Sequence, residues 1–318
     1  MESGATTRRQ SKLVIPLFCF LMTSVWPAYS REKSGNEFEV FSLKNLYIPE
    51  SSFAESSSGS SGKLSVNTLD AGLHVPSLFQ AGKTAIVNSL SYQLLEFSRR
   101  EVVTGGAGPG GLLLNRLDNL TAIEYQLLAL HSFSGGRWRC WLTTLHGLYS
   151  DMSGGLSAGD YRVQAALAIE RSWADGAIFG LGLAYSTTFS FPVLPVLTLH
   201  TSPQSAFKLD LVLPFNGSLI YRIGGKAEVG LAGAVEGNRF NVRKAIGLNP
   251  PAVADNLRYS VGTIGPRAKL RVAGPCKLSI EAGRTFRRRF EIFKERRKTG
   301  EIDLDNNWFV RMAFNVEL

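Results

Sequence analysis

The chain has 318 residues, of which 44% are hydrophobic and 19% charged, with 32 glycines and a formal net charge of +9. That is more apolar than most soluble proteins, yet far from a helical membrane protein. Beyond the N-terminal thirty residues no window holds the roughly eighteen uninterrupted apolar residues of a spanning helix. The basic balance suits nucleic acid, anionic lipid or an anionic solute. The chain shows no basic helix with interleaved aromatics and no zinc-finger spacing, which argues against nucleic acid.

The N-terminus reads as an export signal. Arg8, Arg9 and Lys12 are followed by the apolar run Leu13 to Trp26, and then by the small residues Ala28 and Ser30. This predicts a signal peptide over residues 1–30, cleaved after Ser30. The run is too short to anchor the chain as a helix. Cys19 lies inside it without the small-residue context of a lipid-modified cleavage site. Residues 31–62 form an N-terminal segment, with a candidate first strand at Phe38 to Ile48 and a Ser/Gly link at Ser51 to Gly62. The barrel proper is expected over 63–318.

From there the pattern has period two. In Tyr161 to Trp173, Tyr161, Val163, Ala165, Leu167 and Ile169 share one face, while Arg162, Gln164 and Glu170 share the other; Arg171 interrupts the apolar face. Successive strand side chains point to opposite sides, so this is one oily and one wet face. Ala177 to Phe189 alternates large Phe179, Leu181, Leu183 and Tyr185 with small Gly180, Gly182, Ala184 and Ser186. Val229, Leu231 and Val235 repeat the outward pattern. At the chain end Trp308, Val310, Met312, Phe314, Val316 and Leu318 oppose Arg311, Asn315 and Glu317. This resembles the terminal strand read by barrel-assembly machinery, with Leu318 where an aromatic is usual.

Connections alternate in length. Ser134 to Gly136, Ala174 to Gly176, Pro203 to Ser205, Gly224 to Gly225 and Ala273 to Pro275 read as tight turns. Ser98 to Asn119, Asp151 to Asp160, Asn238 to Asn256 and Glu291 to Asp305 read as long links. Short turns on one side and long loops on the other are the habit of transmembrane barrels. The fold class expected is therefore all-β: a single antiparallel up-and-down transmembrane β-barrel of about 12–14 strands. The stretches FGLGLAYSTTF from Phe179, PVLPVL from Pro192, LDLVLPFNGSLIYRI from Leu209 and EVGLAG from Glu228 follow in order. In these the chain resembles an uncharacterised family of bacterial outer-membrane barrel proteins, a domain of unknown function, from Leu120 to the C-terminus. The resemblance implies a barrel in the outer membrane and supplies no catalytic residues.

Little chemistry is legible. His74, His131, His146 and His200 lack metal-ligand spacing, although a turn joins the strands of His131 and His146. His146 with Ser150 and Asp151 is the nearest hydrolase-like constellation, without a nucleophile elbow. The run GGAGPGG lacks the Lys-Ser or Lys-Thr of a phosphate loop. Cys140 and Cys276 are expected to be small wall residues. No cofactor is expected, and the chain reads as a non-enzyme.

The wet faces carry the candidate lumen: Arg162, Lys208, Asp210, Arg222, Lys226, Glu228, Arg258, Lys269, Arg271 and Glu281, with Arg267, Lys277 and Glu317 beside them. Two readings stand. Opposite charges pair across strands and rigidify a closed lumen, or a basic surplus favours small anions in an open one. The basic cluster Arg287, Arg288, Arg289, Arg296, Arg297 and Lys298 is placed at a loop and strand end, facing lipopolysaccharide phosphates or solvent. Expected partners are outer-membrane lipid, lipopolysaccharide, the assembly machinery and small solutes.

Overall fold

The computed structural model describes residues 38–53, 60–79, 83–104, 119–173, 177–188, 192–201, 206–243, 255–294 and 297–317. The export signal and the loop around Gly105 lie outside them. Fifteen strands follow one another: β1 (Glu39–Ser52), β2 (Ser60–Phe79), β3 (Thr84–Thr104), β4 (Asn119–Phe133), β5 (Trp138–Ser150), β6 (Tyr161–Ser172), β7 (Ile178–Ser186), β8 (Val193–His200), β9 (Phe207–Leu213), β10 (Asn216–Ile223), β11 (Ala227–Asn241), β12 (Asn256–Ala273), β13 (Cys276–Lys294), β14 (Arg297–Leu304) and β15 (Trp308–Glu317). Among the described residues the one helical turn is a 3-10 turn at Ala158–Asp160.

Each strand pairs antiparallel with its successor, from β1 through β13. β13 then pairs with β15 along Cys276 to Arg284 and with β14 along Arg288 to Lys294. β14 and β15 thus form one stave, broken at residues 305–307, and the ring has fourteen staves. β1 closes it against β15, with Leu43 opposite Phe314 and Leu46 opposite Arg311. In the ring of β1 to β13 and β15 each strand has a partner on both sides, which removes the open edges that a spanning wall cannot leave unpaired.

The expected link at Glu291 to Asp305 is not a loop. β13 runs on to Lys294, and Glu291 pairs with Glu301, Phe290 with Ile302. Ser98 likewise lies within β3, which continues to Thr104. β8, β9 and β10 are short, at 7–8 residues, yet each is a full stave, so the count stands at the upper end of the expected 12–14. The turns at 134–137, 224–226 and 274–275 join strands at the end where Glu39 and Glu317 lie, while the two-residue turn of Pro214 and Phe215 joins β9 to β10 at the other end. Gly135 and Gly136 carry φ of +67° and +83°, and Gly224 +61°, values glycine adopts without strain. The turns expected at Ala174 to Gly176 and Pro203 to Ser205 lie outside the described residues.

The outward face carries an apolar band. Leu69, Leu90, Ile123, Leu142, Leu167, Ile169, Leu181, Leu183, Leu219, Leu231, Ile264, Leu270, Ile280 and Met312 are all exposed. Exposed aromatics flank it: Tyr47, Tyr92, Tyr125, Tyr161, Tyr185 and Trp308 toward the loop end, and Phe79, Phe133, Trp138, Trp173, Phe207 and Tyr221 toward the turn end. Arg171, the break in the oily face, lies over the rings of Trp138 and Trp173, at 5.4 and 5.9 Å. Its charge meets two aromatic faces at that girdle. A soluble protein does not expose such a continuous band; a barrel in lipid does.

The two faces differ in what they tolerate. Leu181 is 60% exposed, whereas a Cβ on neighbouring Gly182 would lie 2.2 Å from the Leu167 carbonyl oxygen. Small residues on this inner face are therefore a packing requirement. Asn216, exposed at the head of β10 and in register with Ala234 and Val212 on the inner face, has room. Leu181→Arg is expected to cost about 2–4 kcal/mol through its lipid exposure, and Asn216→Arg less than about 1 kcal/mol. Urea titration of each variant refolded in vesicles, read by tryptophan fluorescence, checks this; equal losses would mean the faces are reversed.

Candidate functional site

The long strands change character along their length. At roughly 3.3 Å per residue, β2, β3, β12 and β13, of 18–21 residues, greatly exceed an apolar band about 25 Å tall. In the band, Leu69 and Leu73 of β2 face out while Asp70 and His74 face in. Beyond it, Leu64 and Val66 continue the inner phase and are buried. On β3, Ser89, Ser91 and Gln93 give way on the same face to buried Leu95 and Phe97. On β12, inward Lys269 and Arg267 give way to Val261, Tyr259 and Leu257. The membrane band is apolar outside and polar inside; the projecting end is apolar inside and polar outside.

The inward apolar residues of the projecting end meet across the lumen. Leu46, Ile48, Phe53, Leu64, Val66, Leu95, Phe97, Leu120, Ala122, Tyr149, Phe240, Val242, Leu257, Tyr259, Val261, Phe290, Ile292, Ile302, Leu304 and Phe309 form one buried cluster. Phe97 of β3 lies 5.6 Å from Phe290 of β13 and 6.3 Å from Tyr259 of β12, ring centre to ring centre. β3 stands four staves from β13 and five from β12 around the ring, so the contact spans the lumen and is a plug made by the wall itself. Arg288, 1% exposed, is held within it. One nitrogen, Nη1, donates to Ser51 Oγ and to the Asp305 carbonyl, while among the described residues Nε and Nη2 have no hydrogen-bond partner.

Below the plug, polar groups also cross the lumen. Asn238 Nδ2 donates to Gln93 Oε1 at 2.9 Å, and Arg311 bridges Glu236 at 2.5 Å and Glu281 at 3.3 Å. Further toward the turn end, Glu170 receives Arg139 at 2.5 Å and the Trp141 indole at 2.9 Å, with His200 at 3.4 Å; His200 also binds Asp210 at 2.9 Å. Glu236 and Asp210 remain 46% and 40% exposed although they face inward. Water-accessible space therefore remains in this part of the lumen.

The candidate lumen residues divide. Arg222 pairs with Glu228, and Lys269 and Lys277 both pair with Glu317. Asp210 and Glu281 join the networks above. Lys208, opposite Ile220, and Arg271, opposite Lys277, share the inner phase. Lys226 lies in the turn before β11. Arg162, at the loop-end start of β6, donates to the Gly159 carbonyl at 2.6 Å and to Asn256 at the start of β12. Arg258 is the exception in face. It is in register with Arg239 and Glu291, opposite in phase to buried Leu257 and Tyr259, and so lies on the outer wall. Equating polar with inward fails there because β12 has already left the lipid band.

The other suspected constellations do not assemble. His146 binds the Tyr161 hydroxyl at 2.6 Å, while Asp151 accepts from Ser153 and from the Arg243 backbone. His131 binds Thr84 and stacks near Phe133. Cys140 and Cys276 are free, and among the described residues no group of three metal-ligating side chains is placed together.

A clasp at the loop end was not foreseen. β11 overshoots β10 and meets β5 in a parallel bridge, Asn241 to Ser150, above the short staves β6–β10. Asp160, fully buried, accepts from the Ser157 N–H at 2.6 Å, Asn241 Nδ2 at 2.8 Å and Arg243 Nη2 at 2.5 Å. Burial alone would raise its pKa; the hydrogen bonds from Ser157, Asn241 and Arg243, with the Arg243 charge, outweigh this and hold it below the usual carboxylate value. The sign follows: the stabilisation is complete above the unfolded carboxyl's value of about 4 and disappears as pH falls through the lower folded one. Asp160→Asn is expected to cost about 2 kcal/mol at pH 7 and to remove that acid sensitivity. Protease cleavage rates within residues 151–160, measured from pH 7 down to pH 2, would show it; parallel profiles for both proteins would refute it.

Comparison with known proteins adds a family and no activity. No curated protein matches the chain. Similar solved structures include an outer-membrane channel from Pseudomonas putida F1, at 12% identity over 91% of this chain and 100% of that one, TM-score 0.42. The TodX monoaromatic hydrocarbon channel, in a deltaS2 mutant, matches at 8% identity over 90% and 91%, TM-score 0.45. A BenF-like porin from Pseudomonas fluorescens Pf-5 matches at 12% over 89% and 99%, TM-score 0.25. Residues 115–317, well over half of the sequence and all the staves from β4 onward, match one family model. The chain belongs to the family described as a domain of unknown function, DUF6268.

Proposed function

We propose that this protein is a bacterial outer-membrane barrel with a pore-like scaffold, held shut at its loop end by a plug grown from its own wall. The observation that carries this is the inward apolar cluster joining Phe97, Tyr259 and Phe290 across the lumen. In this reading the leader at Leu13 to Trp26 exports the chain, the assembly machinery inserts it, and the turn end faces the periplasm. The lumen then forms a polar vestibule open to the periplasmic side and closed to the outside. It serves small solutes as a gated or one-ended binding channel, with no catalytic role.

Arg288 supports gating over a permanent seal. Two unpartnered guanidinium nitrogens in an apolar core cost free energy that an aliphatic side chain would not. The closed state is thereby made less stable than its packing allows. Anion preference is a finer part of the same proposal. Lys208 and Arg267 add positive charge to the inner face, so solutes passing an opened lumen meet a basic excess that salt screens.

Planar-bilayer recording tests both parts. The wild-type barrel is expected to be nearly silent. Phe97→Ala with Phe290→Ala removes packing worth about 3–5 kcal/mol per ring and should produce discrete conductance steps. Under a salt gradient their reversal potential should favour anions, less so at high salt. Large steady wild-type steps would overturn the plug; cation preference in the variant would overturn the basic-lumen reading alone.

A further inference from the structure

We infer that the outer wall of β12 and β13 carries a binding site for the phosphate groups of a membrane lipid headgroup, just above the loop-side aromatic girdle. The inference rests on the membrane reading above and adds to it a lipid class and an address.

A cavity of about 420 Å³ opens there, lined by Arg258, Ser260, Arg287, Arg289 and Glu291. It exists because of a local irregularity. The register between β12 and β13 slips between Ser260 and Gly262, where Ser260 faces Arg289 but Gly262 faces Phe286. A Cβ at Gly262 would lie 2.2 Å from the Phe286 ring, so only glycine lets that ring lie flat on the wall and leave open space above it. Arg287, on the slipped segment, has φ of +51°. An arginine held in the left-handed region is strained, and bulges of this kind re-aim a side chain.

The charges in and around the cavity are unequal. Glu291 pairs with Arg258 at 3.1 Å and Lys298 at 2.9 Å; Arg289 pairs with Asp303 at 2.7 Å and Glu301 at 2.8 Å. Those pairs fix the positions of Arg258 and Arg289. Arg287 is exposed, and among the described residues none pairs with it. A planar guanidinium donates two parallel hydrogen bonds to a phosphate, and flanking arginines already held in place lose little freedom on binding.

The height of the cavity names the source of the phosphate. Trp308, in register with Arg284 and 6.2 Å from the Tyr47 ring, marks the girdle, where such rings sit at headgroup level. Arg287 is three residues further from the lipid core, roughly 10 Å along the strand. A free anion has no reason to be met at that level on the outside of a barrel; a lipid phosphate is anchored there.

The test uses the full-length folded barrel in neutral detergent micelles, titrated with a diphosphorylated glycolipid of the lipopolysaccharide anchor type or its dephosphorylated form. Native mass spectrometry counts retained lipid. The wild type should retain the phosphorylated lipid in preference. Arg287→Gln should weaken retention about fivefold and the combined R258Q, R287Q and R289Q variant by more than about twentyfold, as expected for near-surface charges. Arg287→Lys should recover most of the single loss. Retention unaffected by millimolar inorganic phosphate supports the headgroup assignment; complete displacement by it overturns that assignment. Equal retention by wild type and Arg287→Gln, or no preference for the phosphorylated form, overturns the site. Arg287 is exposed and pairs with none of the described residues, so the single variant decides the matter even if the triple one fails to fold. A barrel that will not insert into vesicles at all refutes the membrane reading itself, whereas an inserted barrel indifferent to lipid phosphate refutes only this site.

Discussion

Everything in this molecule depends on a wall whose two faces must exchange roles partway up. Period-two alternation gives each strand one apolar and one polar face. In the lipid band the apolar face has to point outward, because hydrocarbon surrounds the wall. In the projecting end water surrounds it, so the apolar side chains must find one another on the inside. Leu69 outside and Val66 inside are three residues apart on one strand and obey the two rules in turn. The lumen changes from a polar vestibule to a dry core at that level. The plug, the outer arginines and the aromatic girdle between them are results of one change of surroundings.

The staves in the band were readable from sequence because alternation there is clean and one-sided. Leu181, Leu183, Leu231 and Met312 could be assigned outward from their spacing, and β1 from Phe38 to Ile48 by the same means. The plug was not readable. Leu46 and Ile48 lie on the face of Lys44 and Ser42, and nothing local says that a strand has left the bilayer. The same inversion misplaced Arg258, whose polarity matches lumen residues lower on β12. At β13 the slip near Arg287 shifts the inner phase from Thr285 to Arg288, so counting by twos fails there as well. The clasp at Asp160 depends on β11 meeting β5 over five intervening strands, a relation carried by three-dimensional closure.

Two kinds of interaction close the loop end, and they differ in their response to conditions. The aromatic and aliphatic plug is nearly indifferent to salt and acid. The Asp160 clasp is charged and responds to both. Arg288 is where the two meet: a cation inside the apolar part, tied to Ser51 on β1 and to the Asp305 carbonyl between β14 and β15. The stave that is broken at residues 305–307 is therefore also fastened to the first strand at that break, by the Asp305 N–H to the Ser52 carbonyl and by Asn307 Nδ2 to the Glu50 carbonyl.

That seam has a consequence for what counts as the folding unit. The family match begins at residue 115, leaving β1, β2 and β3 ahead of it, yet β15 finds its partner in β1. Joining Leu46 to Arg311 closes a loop of more than 260 residues, an entropy cost of about 5 kcal/mol recovered only when the whole ladder zips. A chain reduced to the family-matched residues 115–317 would keep its oily belt but expose two unsatisfied edges, on β4 and β15, each a template for pairing with a neighbouring copy. Recognition of the family by sequence and independence in folding are thus drawn at different places, and the first three strands, outside the family match, are what close the ring and spare it an open, self-adhering sheet.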